Sequence, residues 1–111
     1  MFVAVYEFEV KPGFESDFQK YWLEFTKGIY RQCGSLGSRL HQVSEHFYVG
    51  YAQWPDRMTW NEAKNIELGE EYQSAGDAMR ACLVRSNTRF EMEVVSDYLQ
   101  QEEALLEDLS G

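Results

Sequence analysis

Residues 36–60 read LGSRLHQVSEHFYVGYAQWPDRMTW, and this stretch decides the fold. Leu36 to Val43 and His46 to Gln53 have the apolar and β-branched make-up of paired strands, with Ser44-Glu45 as the expected two-residue turn between them. Trp54 precedes Pro55 and is pushed out of helical geometry, so the second strand ends there. Asp56 is then placed to cap a helix whose first turns carry Met58 and Trp60. Alternation along each strand, with that turn, sets His41 opposite Tyr48 and Arg39 opposite Gly50. Arg39, His41, Tyr48, Gly50, Ala52 and Trp54 are expected on one face. Leu36, Ser38, Leu40, Phe47, Val49, Tyr51 and Gln53 are expected on the other.

Toward the N-terminus, Phe2 to Tyr6 is a continuous apolar run that passes into the alternation Glu7-Phe8-Glu9-Val10 before Lys11-Pro12-Gly13 breaks the strand. From Phe14 the period changes. Phe14, Phe18, Tyr21, Trp22, Phe25 and Ile29 recur at helical spacing to about Gln32, where Gly34 can end the helix, and Trp22 falls within the core stripe. Toward the C-terminus, Leu68-Gly69 interrupts the helical pattern. A third helix carries Tyr72, Ala75, Met79, Cys82 and Leu83 on one stripe and is expected to close at Ser86-Asn87. Arg89 to Val95 alternates as a fourth strand.

The order strand, helix, strand, strand, helical pair, strand is the split βαβ arrangement of a ferredoxin-like α+β domain with an antiparallel sheet and helices on one face. The domain is expected over residues 1–96, followed by an acidic helix or tail over 97–111 whose Leu99, Leu105, Leu106 and Leu109 could dock on a neighbour. Phe2 to Tyr6 and Phe47 to Ala52 are apolar at nearly every position, the pattern of strands buried on both sides. One chain supplies one layer of helices, so a second copy is the economical cover for the bare sheet face. A homodimer packed sheet to sheet is the expected assembly.

Composition removes several classes of function. Nineteen acidic against ten basic residues give a formal net charge of -9, which repels phosphate backbones and anionic lipid surfaces, so nucleic acid and membrane are not expected partners. Cys33 and Cys82 stand far apart without a Cys-x-x-Cys spacing or a neighbouring histidine, so no metal site is signalled and buried free thiols are expected. No signal segment and no long apolar run is written, and a cytoplasmic protein is the expectation. No phosphate loop, nucleophile elbow or zinc-protease motif is present either.

Three segments carry a resemblance: Val10-Lys11-Pro12-Gly13-Phe14-Glu15, then Gly34-Ser35-Leu36-Gly37-Ser38-Arg39-Leu40-His41, then Tyr51-Ala52-Gln53-Trp54-Pro55-Asp56-Arg57-Met58-Thr59-Trp60. Together they resemble the antibiotic biosynthesis monooxygenase superfamily of dimeric α/β barrels over about residues 2–95. That resemblance implies cofactor-free quinone-forming oxygenases, haem-degrading enzymes, small-molecule isomerases, or members without known activity. The haem-degrading branch implies an Asn on the first strand and a His on the helix after the third strand. Here the first strand has no Asn, and His41 and His46 both precede that helix, so the axial ligand is missing.

The expected function is a cofactor-independent monooxygenase of a small aromatic or enolic metabolite. The alternative is a non-catalytic dimer that binds a small ligand or assists a pathway. Triplet oxygen without a metal or flavin must take an electron from the substrate, which is easiest from a deprotonated phenol, hydroquinone or enol. His41 is the candidate base, its type titrating near ~6.5, and Arg39 the candidate stabiliser of the oxyanion. Tyr48, Trp54, Trp60, Tyr51 and Tyr6 are the candidates to hold the ring and exclude water. The plainer readings are an ion pair for Arg39, a surface or interface position for His41, and full exposure for His46. Trp54 could simply plug the sheet end, Tyr6 and Tyr51 could merely pack, and Glu7 and Glu9 could be solvated or at the dimer edge.

Overall fold

The computed structural model describes residues 1–99. Strand β1 (Phe2–Val10) is followed by helix α1 (Glu15–Gln32), strands β2 (Gly37–Gln42) and β3 (Phe47–Trp54), helices α2 (Arg57–Ala63) and α3 (Glu70–Ala81), and strand β4 (Leu83–Glu93). The sheet order is β2-β3-β1-β4, antiparallel at every step, with the helices on one face. This is the ferredoxin-like α+β fold that the element order predicts. No helix among the described residues is long and apolar enough to cross a membrane.

Alternation along the two central strands builds the core. Phe2, Ala4 and Phe8 of β1 pair with Trp54, Ala52 and Tyr48 of β3 under the helices, and these residues and Val10 are buried. Two apolar clusters result. One gathers Phe8, Val10, Phe18, Tyr48, Met79 and Cys82, and the other gathers Phe2, Ala4, Cys33, Ala52 and Trp54. Tyr6 packs against both from between them. α1 lies along α3 so closely that Gly28 and Gly76 have no room for a side chain: a Cβ would come within 2.4 Å of Tyr72 and 2.7 Å of Phe25 respectively.

The β2–β3 register differs from expectation by one residue. Arg39 stands opposite Tyr51, Leu40 opposite Gly50 and His41 opposite Val49. The loop holds three residues, because Val43 donates its N–H to Phe47 O at 2.8 Å. His46 is drawn out of β3 into that loop. Its carbonyl accepts from Val10 N at 2.8 Å, and its ring lies 2.7 Å from Glu15 at the start of α1, leaving it half-buried rather than exposed. A slip of one residue carries every β2 side chain to the other face relative to β3. Arg39 and His41 therefore lie on the bare side of the sheet, away from Tyr48, Gly50, Ala52 and Trp54.

β4 starts at Leu83, six residues before the expected Arg89. Cys82 and Leu83 continue the α3 stripe in sequence, but Cys82 is the helix C-cap and Leu83 already pairs with Val10. Ser86 and Asn87 sit inside the strand. They are tolerated there because β4 is the sheet edge and stays exposed on both faces from Val84 onward. The expected acidic helix or tail lies outside the described residues beyond Leu99.

Candidate functional site

Between the two apolar clusters the helices leave a cavity of about 520 Å³, within the usual range for small-molecule sites. α2 covers the Phe2–Trp54 end of the sheet and α3 the Phe8–Met79 end, and Tyr6 and Gly50 form the floor between them. Gly50 keeps that floor open. A Cβ there would stand 3.1 Å from Phe8 Cε2 and 3.7 Å from Tyr6 Cδ2.

Aromatic side chains form part of the wall. Trp22 and Phe25 come from α1, Trp54 from β3, and Trp60 from α2. Trp60 is fixed by two contacts: its ring packs on Phe2 with centroids 5.2 Å apart, and its indole N–H donates to Tyr6 Oη at 2.7 Å. Asp56 anchors the helix beneath it, accepting from Thr59 N at 2.7 Å and Thr59 Oγ1 at 2.8 Å, the N-cap that the sequence predicts. The Thr59 backbone and hydroxyl donors hold the Asp56 carboxyl below its ordinary value. Burial pushes the Tyr6 phenol above its ordinary value, with the nearby Glu91 charge acting the same way and the Trp60 bond opposing them. Tyr6 thus stays a neutral phenol whose oxygen already accepts one hydrogen bond, and its own O–H remains available to donate. Trp54 is almost fully buried, and among the described residues its Nε1 has no hydrogen-bond partner.

Three of the seven candidate residues, Tyr6, Trp54 and Trp60, present their side chains to this cavity; Tyr51 borders it, but its position opposite Val5 and Arg39 turns its side chain to the other sheet face. Tyr48 does not line the cavity. It packs against Phe18 with centroids 5.2 Å apart and accepts from Gln19 Nε2 at 3.1 Å, within the core beside the cavity. Arg39 and His41 are exposed on the opposite sheet face, so the expected pairing of His41 with Tyr48 over a common pocket is corrected by the register. Glu7 and Glu9 on that face pair with Arg89 at 3.4 Å and Arg85 at 2.9 Å.

The polar residues that do line the cavity carry little signal in the sequence. Ser86, Asn87 and Thr88 contribute from the exposed edge strand β4, where the sequence suggests the end of a helix. Lys64 at the C-cap of α2 and Arg80 in the last turn of α3 add charge. Both look like ordinary surface positions in a helical pattern, and only the fold brings each of them to the cavity lining. Trp22, expected in the core, is partly buried and faces the cavity as well.

An antiparallel sheet covered on one face by helices, with a cavity held open between the layers, places the chain in the ferredoxin-like α+β class. The sequence pattern of the antibiotic biosynthesis monooxygenase family matches residues 1–75, and the chain belongs to that family. Among solved structures, a variant of SnoaB from Streptomyces nogalater, described as a cofactor-independent oxygenase, is similar. It has a TM-score of 0.69 at 18% identity, over 89% of this chain and 97% of that one. PA3566 from Pseudomonas aeruginosa aligns with a TM-score of 0.65 at 15% identity, over 86% and 94% of the two chains. NE2512 from Nitrosomonas europaea, a protein of unknown function, aligns with a TM-score of 0.67 at 15% identity, over 90% and 94%. At these identities the likeness is one of fold. No curated protein matches the chain by sequence.

Proposed function

We propose that the chain is a cofactor-independent monooxygenase of a small aromatic or enolic metabolite, acting as a homodimer that packs through the bare sheet face. The observation that carries this reading is the Trp60 to Tyr6 hydrogen bond inside a cavity walled in part by aromatic side chains. It leaves a neutral phenol with its proton free, in a partly dry site where a donor is worth more than in water. Membership of the family and the likeness to an oxygenase fold support the same reading.

The reaction needs a substrate anion rich enough in electrons to reduce oxygen. Among the described residues no His, Asp or Glu lines the cavity, so His41 is set aside as the base. Tyr6 instead donates to the substrate oxygen, which stabilises the phenolate or enolate, and the substrate proton leaves to water through the cavity mouth. Trp54 and Trp60 hold the ring. The anion transfers an electron to O2, the two radicals combine at carbon, and the protonated peroxide loses water to leave a carbonyl. One phenol and one O2 thus become one quinone and one water.

The second reading, a dimer that binds the same class of ligand without turning it over, is favoured by that lack of a base in the lining. Oxygen uptake separates the two. Consumption of one O2 per phenol or anthrone lost, abolished in Tyr6→Phe, is the expected result. Saturable binding of the same compound without oxygen uptake would establish the second reading instead.

A further inference from the structure

The chain carries nineteen acidic against ten basic residues, yet among the described residues the charged ones lining the cavity are Lys64 and Arg80, with no carboxylate beside them in the lining. Among the described residues Lys64 makes no ion pair. Arg80 reaches Asp77 at 3.4 Å, but both side chains are more than half exposed and such a pair is weak. Arg80 also packs on an aromatic ring of the cavity wall. Its guanidinium lies 5.2 Å from the centre of the Phe25 ring. It crosses the bare backbone of Gly76, where a Cβ would meet Phe25 Cδ1 at 2.7 Å and Arg80 Nη1 at 3.3 Å. A planar fork stacked on the aromatic wall of the cavity is suited to a carboxylate.

We infer that the ligand of this cavity is an aromatic ring bearing an anionic group of the carboxylate class, with the ring among the aromatic side chains and the anion at Arg80, Lys64 adding a second positive charge to the lining. The inference deepens the proposed function and rests on it for the binding of the ring. The surrounding acidity does not oppose it. Asp77 beside Arg80 is an exposed, weak partner, and charges farther than about 8 Å are largely screened at physiological ionic strength. A cationic ligand, which the net charge would attract from afar, meets like charge in the lining.

The test compares two probes, a dihydroxyanthraquinone and the same ring carrying a carboxylate, by quenching of tryptophan fluorescence. Both are already quinones, so binding is read apart from turnover. The carboxylate is expected to bind about tenfold tighter at physiological salt, with the advantage shrinking as salt is raised further and vanishing in the Lys64→Gln/Arg80→Gln double variant. Equal affinities for the two probes, or a preference that survives the double substitution or high salt, would overturn the inference while leaving the aromatic site standing. Failure of both probes to bind would overturn the proposed function with it.

Discussion

Trp60 donates its indole N–H to the Tyr6 hydroxyl across 2.7 Å, tying α2 to the central strand where the two apolar clusters part. Tyr6→Phe keeps the ring and removes the acceptor, leaving the Trp60 N–H without its partner. The expected cost is about 1–2 kcal/mol, read from urea denaturation. Burial also holds this phenol above the ordinary tyrosine value of 10.0. The folded state therefore keeps a proton that the unfolded chain has lost, and stability falls as pH rises from that value through the raised one. Below it the contribution is fully present. Urea midpoints against pH are expected to fall less steeply in Tyr6→Phe than in the parent over this alkaline window.

Gly28 faces Tyr72 across the α1–α3 contact, and a Cβ at position 28 would lie 2.4 Å from Tyr72 Cγ and 2.5 Å from its Cβ. Replacing a helical glycine by alanine ordinarily gains about 1 kcal/mol of helix propensity. Overpacking costs about 1–3 kcal/mol, and here the obstructing atoms sit next to the α3 backbone, where they yield least. Gly28→Ala is therefore expected to destabilise by about 1–2 kcal/mol in net terms, measured by thermal or urea unfolding. A stabilised variant would mean that the helices separate more freely than their packing suggests.

The fold was legible because its signals were local. Pro12-Gly13 ends β1, the Phe18 to Ile29 stripe marks α1, and Trp54-Pro55-Asp56 marks the passage from strand to capped helix. The face of β2 was not legible, since it depends on whether the loop has two residues or three. That choice is made by His46, whose partners Val10 and Glu15 lie far away in sequence. Tyr6, Trp54 and Trp60 could be anticipated as large aromatics of the first strand, the end of the hairpin and the capped helix that follows it. Lys64 and Arg80 could not, because nothing local distinguishes a cation in a cavity lining from one on a solvated helix. The start of β4 was missed for a related reason, as the polar run Arg85 to Thr88 is acceptable in an edge strand that the helices leave uncovered.

Glu15 opens α1 and faces the His46 ring at 2.7 Å. Its own backbone N–H, the His46 ring and the Gly13 N–H hold the carboxyl below its ordinary value of 4.5, against a smaller effect of burial. The unfolded chain binds a proton there before the folded one does. Stability is thus present above the ordinary value and lost as pH falls through the lowered one. Glu15→Gln is expected to flatten this acid limb, and His46→Ala to move its midpoint up in pH. Tryptophan fluorescence across an acid titration reads both, and limbs unchanged in the two variants would show that the pair contributes nothing.

On the bare side of the sheet, Arg39, Tyr51, Val5 and Phe90 stand in one row across all four strands. Phe90 is 51% exposed, and Phe47 and Met92 on the same face are 42% and 40% exposed. Burying such side chains against a second copy is worth about 1.5–3 kcal/mol each, so a charge in the row opposes association strongly. Phe90→Asp is expected to convert the proposed dimer to a folded monomer, seen as a halved mass by light scattering. The aromatic cavity opens on the other face, so the monomer is expected to bind an aromatic probe within about twofold of the parent. The same reasoning separates the two residues that the sequence placed in the site: Arg39→Ala and His41→Ala are expected to leave probe affinity unchanged and to act, if anywhere, on the dimer. A dimer that survives Phe90→Asp while binding collapses in Arg39→Ala would reverse the assignment of the two faces.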